Sequence, residues 1–230
     1  MYRFFFKRLL DILLSLFGIV IFALPMIIIA IAVKTDSKGP VIFKQKRYGK
    51  NGKVFLLYKF RSMTQNAPSD VATKDIEAKS YVTKVGGFLR KTSLDELPQM
   101  FCILKGDMSI IGPRPVVLTE TELHNYRQKT GALAVRPGLT GLAQVTARDN
   151  LTDMRLKAEI DGQYVKKISF FRDIKIFFKT IVKVLKRDDI VEGAGKATQT
   201  VELSPETPPS KAQEGLESTA KTEESAANAG

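Results

Sequence analysis

Two adjacent carboxylates, Asp95 and Glu96, stand in Thr92-Ser-Leu-Asp-Glu-Leu-Pro-Gln99, and the segment that carries them ends in the stiff corner Pro113-Arg114-Pro115. Neighbouring residues on a helix point about 100° apart, so the acids are suited to different tasks rather than to sharing one proton. One can attack while the other holds a metal. An aspartate is a competent nucleophile toward phosphorus, and an acyl phosphate divides one phosphoryl transfer into two displacements. Attack by an anion on a diphosphate requires its charge to be neutralised, normally by Mg²⁺ together with Arg or Lys. Asp95 and Glu96 are the candidate metal ligands, and Lys59-Phe60-Arg61, Arg90-Lys91, Arg114 and Arg136 are the candidate cations. Two prolines fix φ on either side of Arg114 and bias it toward extended geometry, a presentation that suits bidentate phosphate binding.

The same residues admit a structural reading. Ser93-Leu-Asp-Glu96 fits the S-x-x-E capping box, in which Ser93 caps a helix and Glu96 folds back on the cap. Pro98 weighs against that register, because it would fall beyond the first turn, and Asp95 itself is the alternative cap. A two-carboxylate glycosidase is disfavoured, since its acids flank a bond at about 5 to 9.5 Å and are not sequence neighbours by design.

The 230-residue chain carries a net charge of +12, unevenly spread. Residues 192–230 hold seven Glu against three Lys, a balance of −4 that leaves +16 on residues 1–191. The basic part calls for an anionic partner: nucleic acid, a membrane surface or a phosphorylated small molecule. One cysteine, Cys102, and one histidine, His124, exclude an intramolecular disulfide, a cysteine zinc site and a histidine-rich metal site.

From Ile12 to Val33 there are 22 residues without a charge, and such a helix, roughly 33 Å long, matches a bilayer core of about 30 Å. Pro25 interrupts it, removing a hydrogen bond and crowding the preceding turn, which predicts a kink or break. Basic residues flank both ends: Arg3, Lys7 and Arg8 before, Lys34 and Lys38 after. A Pro-kinked span and a helix that enters and returns are both compatible with the run, and the basic flanks favour return.

Beyond it, Val41–Arg47 and Lys53–Phe60 read as a hairpin around Asn51-Gly52. Helices are predicted over about Asp75–Arg90, from near Ser93, and over Val117–Lys129, Leu151–Ile168 and Phe171–Arg187. The last places Ile174, Phe177, Phe178, Ile181, Val182 and Leu185 on one face and Lys175, Lys179, Lys183 and Lys186 on another. It can pack as a core helix or lie on an anionic membrane surface, and the apolar run upstream favours the surface. The composition beyond Glu192 predicts a disordered acidic tail.

Thr92-Ser-Leu-Asp-Glu-Leu-Pro-Gln99 and Leu104-Lys-Gly-Asp-Met-Ser-Ile-Ile-Gly-Pro-Arg-Pro115 resemble the sugar transferase domain of the bacterial monotopic phosphoglycosyl transferases. So do Phe6-Lys-Arg8 with Asp11, Val41–Arg47, Tyr58–Met63, Val135–Gly141, Ala143-Gln-Val145, and Asp161 with Tyr164-Val165. The resemblance, which ends at about Lys186, implies an α+β fold, and with the tail read from composition the chain is expected to have three parts. Residues 1–36 form a re-entrant membrane helix broken at Pro25, residues 37–191 a catalytic domain, and residues 192–230 the tail. It implies transfer of a sugar 1-phosphate from a UDP-sugar to a polyprenyl phosphate, with Mg²⁺, at the cytoplasmic face of a bacterial inner membrane. Nucleic acid is not an expected partner; a membrane-tethered basic module binding nucleic acid or anionic lipid is the rival reading. By resemblance Asp95 is the nucleophile and Glu96 assists metal and phosphate chemistry. Lys59, Arg90, Arg114 and Arg148 match the family's cations, Asp161 its supporting acid, and the chain its minimal form. Three departures are present: Leu24 stands where a serine precedes the helix-breaking proline, Leu142 replaces an aromatic, and Thr146-Ala-Arg148 replaces Asn-Gly-Arg.

Overall fold

The computed structural model describes residues 2–68, 81–146 and 153–186. The upstream part of the helix expected from Asp75, Arg148 and the acidic tail lie outside the described residues. Among the described residues eight α-helices and two small sheets give an α+β architecture.

The apolar run forms α1 (Lys7–Ile21) and α2 (Ala23–Asp36). Helix Tyr2–Ile21 and helix Ala23–Asp36 meet at 62°. Pro25 has no N–H for the carbonyl of Ile21, four residues earlier, so the ladder fails at that step. The break needs no hydroxyl: Phe22 N–H donates to Gly18 O and Met26 N–H to Phe22 O, both at 2.8 Å. Leu24 is simply exposed. Among the described residues no single helix is long and apolar enough to cross a membrane.

Strands β1 (Ile42–Tyr48) and β2 (Val54–Phe60) pair antiparallel from Ile42↔Phe60 to Tyr48↔Val54, as the Asn51-Gly52 turn predicts. Asn51 supplies the left-handed conformation, with φ 55°. A short β4 (Val116–Val117) adds to β1, so the helix expected from Val117 starts later, as α5 (Thr121–Thr130). Val116 and Val117 are both buried, and β-branched residues beside a proline corner fit a strand better than a helix start. Strand β3 (Ser109–Ile111) pairs in parallel with β5 (Gly138–Thr140), a second sheet the sequence did not announce. Gly112 and Gly138 let these backbones touch; a methyl group on Gly138 would overlap the Gly112 nitrogen.

Helices α3 (Lys84–Lys91), α4 (Gln99–Lys105), α6 (Leu142–Thr146), α7 (Met154–Lys166) and α8 (Phe170–Lys186) complete the fold. The hairpin's inner face, Phe55 and Leu57, packs on Cys102, Ile103 and Met108. At the hairpin's other end Phe60 and Leu89 pack on Ile29 and Val33 of α2. A third cluster joins Ile111, Tyr164, Val165 and Ile176.

Helix α1 is inside out. Its buried residues are Asp11, Ser15 and Gly18, while Leu13, Leu16, Phe17 and Val20 are half or more exposed. Asp11 accepts from Ser109 Oγ at 3.0 Å and Ile110 N–H at 2.9 Å, and Gly18 admits the Met100 side chain. Helix α8 follows the same rule. Asp173 and Ile176 face inward, and Phe171, Ile174, Phe177, Phe178 and Ile181 face out. The core-packing reading of its apolar face is therefore wrong, because the opposite face supplies the contacts. Thr180 bonds Thr140 at 2.7 Å, and Lys183, drawn off the predicted lysine face, donates to Gln144 O at 2.6 Å.

Candidate active site

The acidic pair lies in a single 3₁₀ turn, Leu94–Glu96, between α3 and α4. No capping box forms. Ser93 has φ 57° and makes no side-chain cap, and α4 begins only after Pro98. Two features defeat the predicted cap: the chain reverses at Ser93 to leave α3, and Glu96 has better partners than a backbone N–H. Nor is Asp95 a cap.

Those partners come from distant elements. Lys59 follows Phe55 and Leu57 at period two on β2, so the apolar inner face of the hairpin ends in an ammonium. Its Nζ donates to Glu96 Oε1 at 2.6 Å and lies 3.9 Å from Asp95 Oδ2, beyond hydrogen-bond reach. Arg114, from the Pro-Arg-Pro corner, donates through Nη2 to the same Glu96 oxygen at 3.2 Å. Burial alone would raise the Glu96 carboxyl, but Lys59 and Arg114 overcome it and hold it down at about 2. Asp95, 8 % exposed, goes the other way. Burial and the Glu96 charge push it above the usual aspartate range, against the opposing influence of Lys59, Arg114 and Arg90. The two acids are thus differentiated: one clamped and ionised, the other poised and not hydrogen-bonded to Lys59.

Lys59, Arg90 and Arg114 are brought to the pair. Arg136 is not: it donates to Gly106 O at 2.7 Å, at the far end of α4. Arg61 is buried and engaged by Val33, Ser37 and Pro40 at the exit of α2, which removes it from the candidate phosphate ligands. Asp161, 1 % exposed, meets no carboxylate of the pair; it holds Arg127, through Nε at 2.9 Å and Nη2 at 2.5 Å. Arg127 in turn donates to Arg114 O at 2.5 Å. It was missed in the sequence, although its spacing of four from Leu123 places it on the inward face of α5, an unusual position for an arginine. Among the described residues no group of three or more His, Cys, Asp or Glu could hold a metal. Two carboxylates still fit Mg²⁺, which takes one or two of them and completes its shell with water and substrate phosphates.

The chain matches the family model described as bacterial sugar transferase over residues 2–187. It is 44% identical over 184 residues to a UDP-glucose:undecaprenyl-phosphate glucose-1-phosphate transferase of Klebsiella pneumoniae, an alignment covering 77% of this chain and 40% of that protein. It is 43% identical over 191 residues to a UDP-N-acetylgalactosamine-undecaprenyl-phosphate N-acetylgalactosaminephosphotransferase of Aeromonas hydrophila, covering 79% and 44%. The chain therefore spans about two fifths of the length of such relatives. With the exopolysaccharide production protein PSS of Rhizobium leguminosarum bv. phaseoli it shares 38% identity over 194 residues, 79% of this chain and 96% of that one. On this match, which takes in both carboxylates, both halves of the broken helix and the proline corner, the chain belongs to the bacterial sugar transferase family.

Proposed function

We propose that this chain transfers a sugar 1-phosphate from a UDP-sugar to a polyprenyl phosphate through a covalent aspartyl intermediate. Asp95 attacks the β-phosphorus; the bond from that phosphorus to the bridging oxygen breaks, and UMP leaves with the oxygen. A phosphate oxygen of the lipid then attacks the same phosphorus, which returns the Asp95 carboxylate and yields a polyprenyl diphosphate sugar. Glu96 stays ionised, and Lys59 and Arg114 bear the charge that develops on the diphosphate. Bound through Asp95 and Glu96, Mg²⁺ would neutralise that charge further. The observation that carries this reading is the unequal treatment of two neighbouring carboxylates, one clamped by two cations and the other left to react. The relatives' names support the acceptor and the class of donor.

The acceptor is a lipid, and the broken helix would bring the site to it as a re-entrant element at the cytoplasmic face of a bacterial membrane. Both ends of the helix pair are tied to the same domain. Arg8 donates to Ile103 O at 2.7 Å and Leu104 O at 2.9 Å, and Lys7 to Asp173 at 2.7 Å. At the other end Asp36 accepts from Val85 N–H at 3.0 Å, and Arg61 binds the carbonyls of Val33 and Ser37. A true span would separate its ends by the bilayer.

Detergent-purified protein incubated with UDP-sugars, Mg²⁺ and polyprenyl phosphate should release UMP, with a phosphosugar adduct on the Asp95 peptide by mass spectrometry. No UMP across a broad donor panel, or an adduct elsewhere, would overturn the reading. Salt-sensitive DNA binding without UMP release would favour a basic binding module instead.

A further inference from the structure

The Pro113-Arg114-Pro115 corner is held by its own carbonyl oxygens, one after another. Pro113 O accepts from Gly138 N–H at 2.9 Å, Arg114 O from Arg127 Nη1 at 2.5 Å, and Pro115 O from Arg47 Nη1 at 3.0 Å. Two prolines contribute no N–H, so the corner must be anchored chiefly through acceptors.

Each guanidinium is itself fixed. Arg127, 3 % exposed, is locked onto Asp161 from α7. Arg47, on β1, is gripped by Gln45 Oε1 through Nε at 3.0 Å and Nη2 at 2.6 Å. Burial and the neighbouring Arg114 charge push Arg47 down to about 10, which still leaves it charged at neutral pH. Desolvating two arginines beside a third cation is unfavourable unless every donor is well placed. A turn that only had to reverse the chain would be served by neutral backbone bonds. What these contacts determine is the pitch of the backbone from which the Arg114 side chain leaves toward Glu96, 3.2 Å away.

We infer that Arg47 and Arg127 are positioning residues for the phosphoryl transfer, aiming the Arg114 guanidinium by clamping the carbonyls of the proline corner, with Asp161 as the counter-charge that orients Arg127. The inference rests on the transferase reading of the site. Lysine keeps the charge at either position but, as a point charge, cannot hold two acceptors in the fork geometry of arginine.

The test is a cycle of Arg127→Lys and Arg47→Lys, each alone and each combined with Arg114→Ala, with folding checked by circular dichroism. In the otherwise intact protein each lysine variant should lower kcat for UMP release by ~10- to 100-fold, the scale of a misplaced catalytic group, with KM changed less than about threefold. In the Arg114→Ala background each should change kcat less than about twofold, because the group being aimed is gone. Equal losses in both backgrounds, or an unaltered kcat in the single variants, would overturn the inference. Should the wild-type protein release no UMP, the transferase reading fails separately. The Nε–Hε NMR signal of Arg114 in detergent then decides: its broadening or loss in Arg127→Lys supports the clamp, and an unchanged signal refutes it.

Discussion

Lys59 closes on Glu96 at 2.6 Å but stands 3.9 Å from Asp95, so one lysine treats two neighbouring carboxylates unequally. The difference follows from the 3₁₀ turn, whose successive residues diverge by about 120°. The Lys59 ammonium hydrogen-bonds Glu96 and reaches Asp95 only as a longer ion pair. Glu96 is the fixed acid and Asp95 the available one, and this division of roles has consequences that can be measured.

Asp95→Asn should abolish the covalent adduct and lower UMP release by ~10⁴-fold or more, the scale seen when a nucleophile is removed. Glu96→Gln should lower the rate by only ~10²- to 10³-fold, as for loss of one electrostatic contributor, with an adduct still detectable. Rate and peptide mass spectrometry check both. The reverse ranking would exchange the roles.

The acid limb of kcat/KM should follow one proton. Asp95 must be ionised to attack, and burial holds its carboxyl above the ordinary value of about 3.9. Glu96 stays ionised down to about 2 and adds nothing to that limb. Lys59 is the strongest influence keeping Asp95 ionised. Lys59→Met should therefore move the limb to higher pH, which a pH–rate profile on folded variant would show.

Stability should depend on these acids with opposite signs. Glu96, lowered to about 2 from an unfolded value of about 4.3, stabilises the fold fully above the upper figure, and the benefit is lost as pH falls toward the lower. Asp95 is raised, so its contribution is present at low pH and declines as pH rises through its window. Thermal unfolding of Glu96→Gln should be less pH-dependent than the wild type between about pH 2 and 4.3.

Removing Asp161 would leave Arg127 charged and buried without its partner. Asp161→Ala should destabilise by ~3 to 5 kcal/mol. The exposed pair of Arg155 and Glu159, at 3.1 Å, makes the contrast: Glu159→Ala should cost no more than ~0.5 kcal/mol. Denaturant unfolding in one detergent compares the two.

The outward face of α8 should carry membrane affinity. Phe178→Asp or Ile181→Asp should weaken co-sedimentation with anionic vesicles by ~10- to 100-fold, the equivalent of one large apolar side chain withheld from lipid. Arg155→Ala, which removes one exposed charge on α7 and no apolar side chain, should weaken binding far less.

Much of this was legible in the chain. The Asn51-Gly52 hairpin, the break at Pro25, the acidic pair and the Pro-Arg-Pro corner are local signals, each carried by a few neighbouring residues whose backbone preferences admit few alternatives. The amphipathic pattern of α8 was equally plain. Its periodicity, however, could not say which face meets protein, since an apolar stripe suits a core and a bilayer alike.

Tertiary structure decided what the charges do. The sequence sets Arg114 apart by its prolines, but gives no partner to Lys59, Arg61, Arg90, Arg114 or Arg136; in the fold Arg61 seals the exit of α2, Arg136 sits at the far end of α4, and Lys59 and Arg114 converge on Glu96. Arg127 and Asp161 are 34 residues apart and meet only because α5 packs on α7. The physical reason is range. Proline, glycine and apolar period act over one or two turns, whereas an ion pair is specified by where two separate elements happen to be packed, and no local preference of either partner encodes the other.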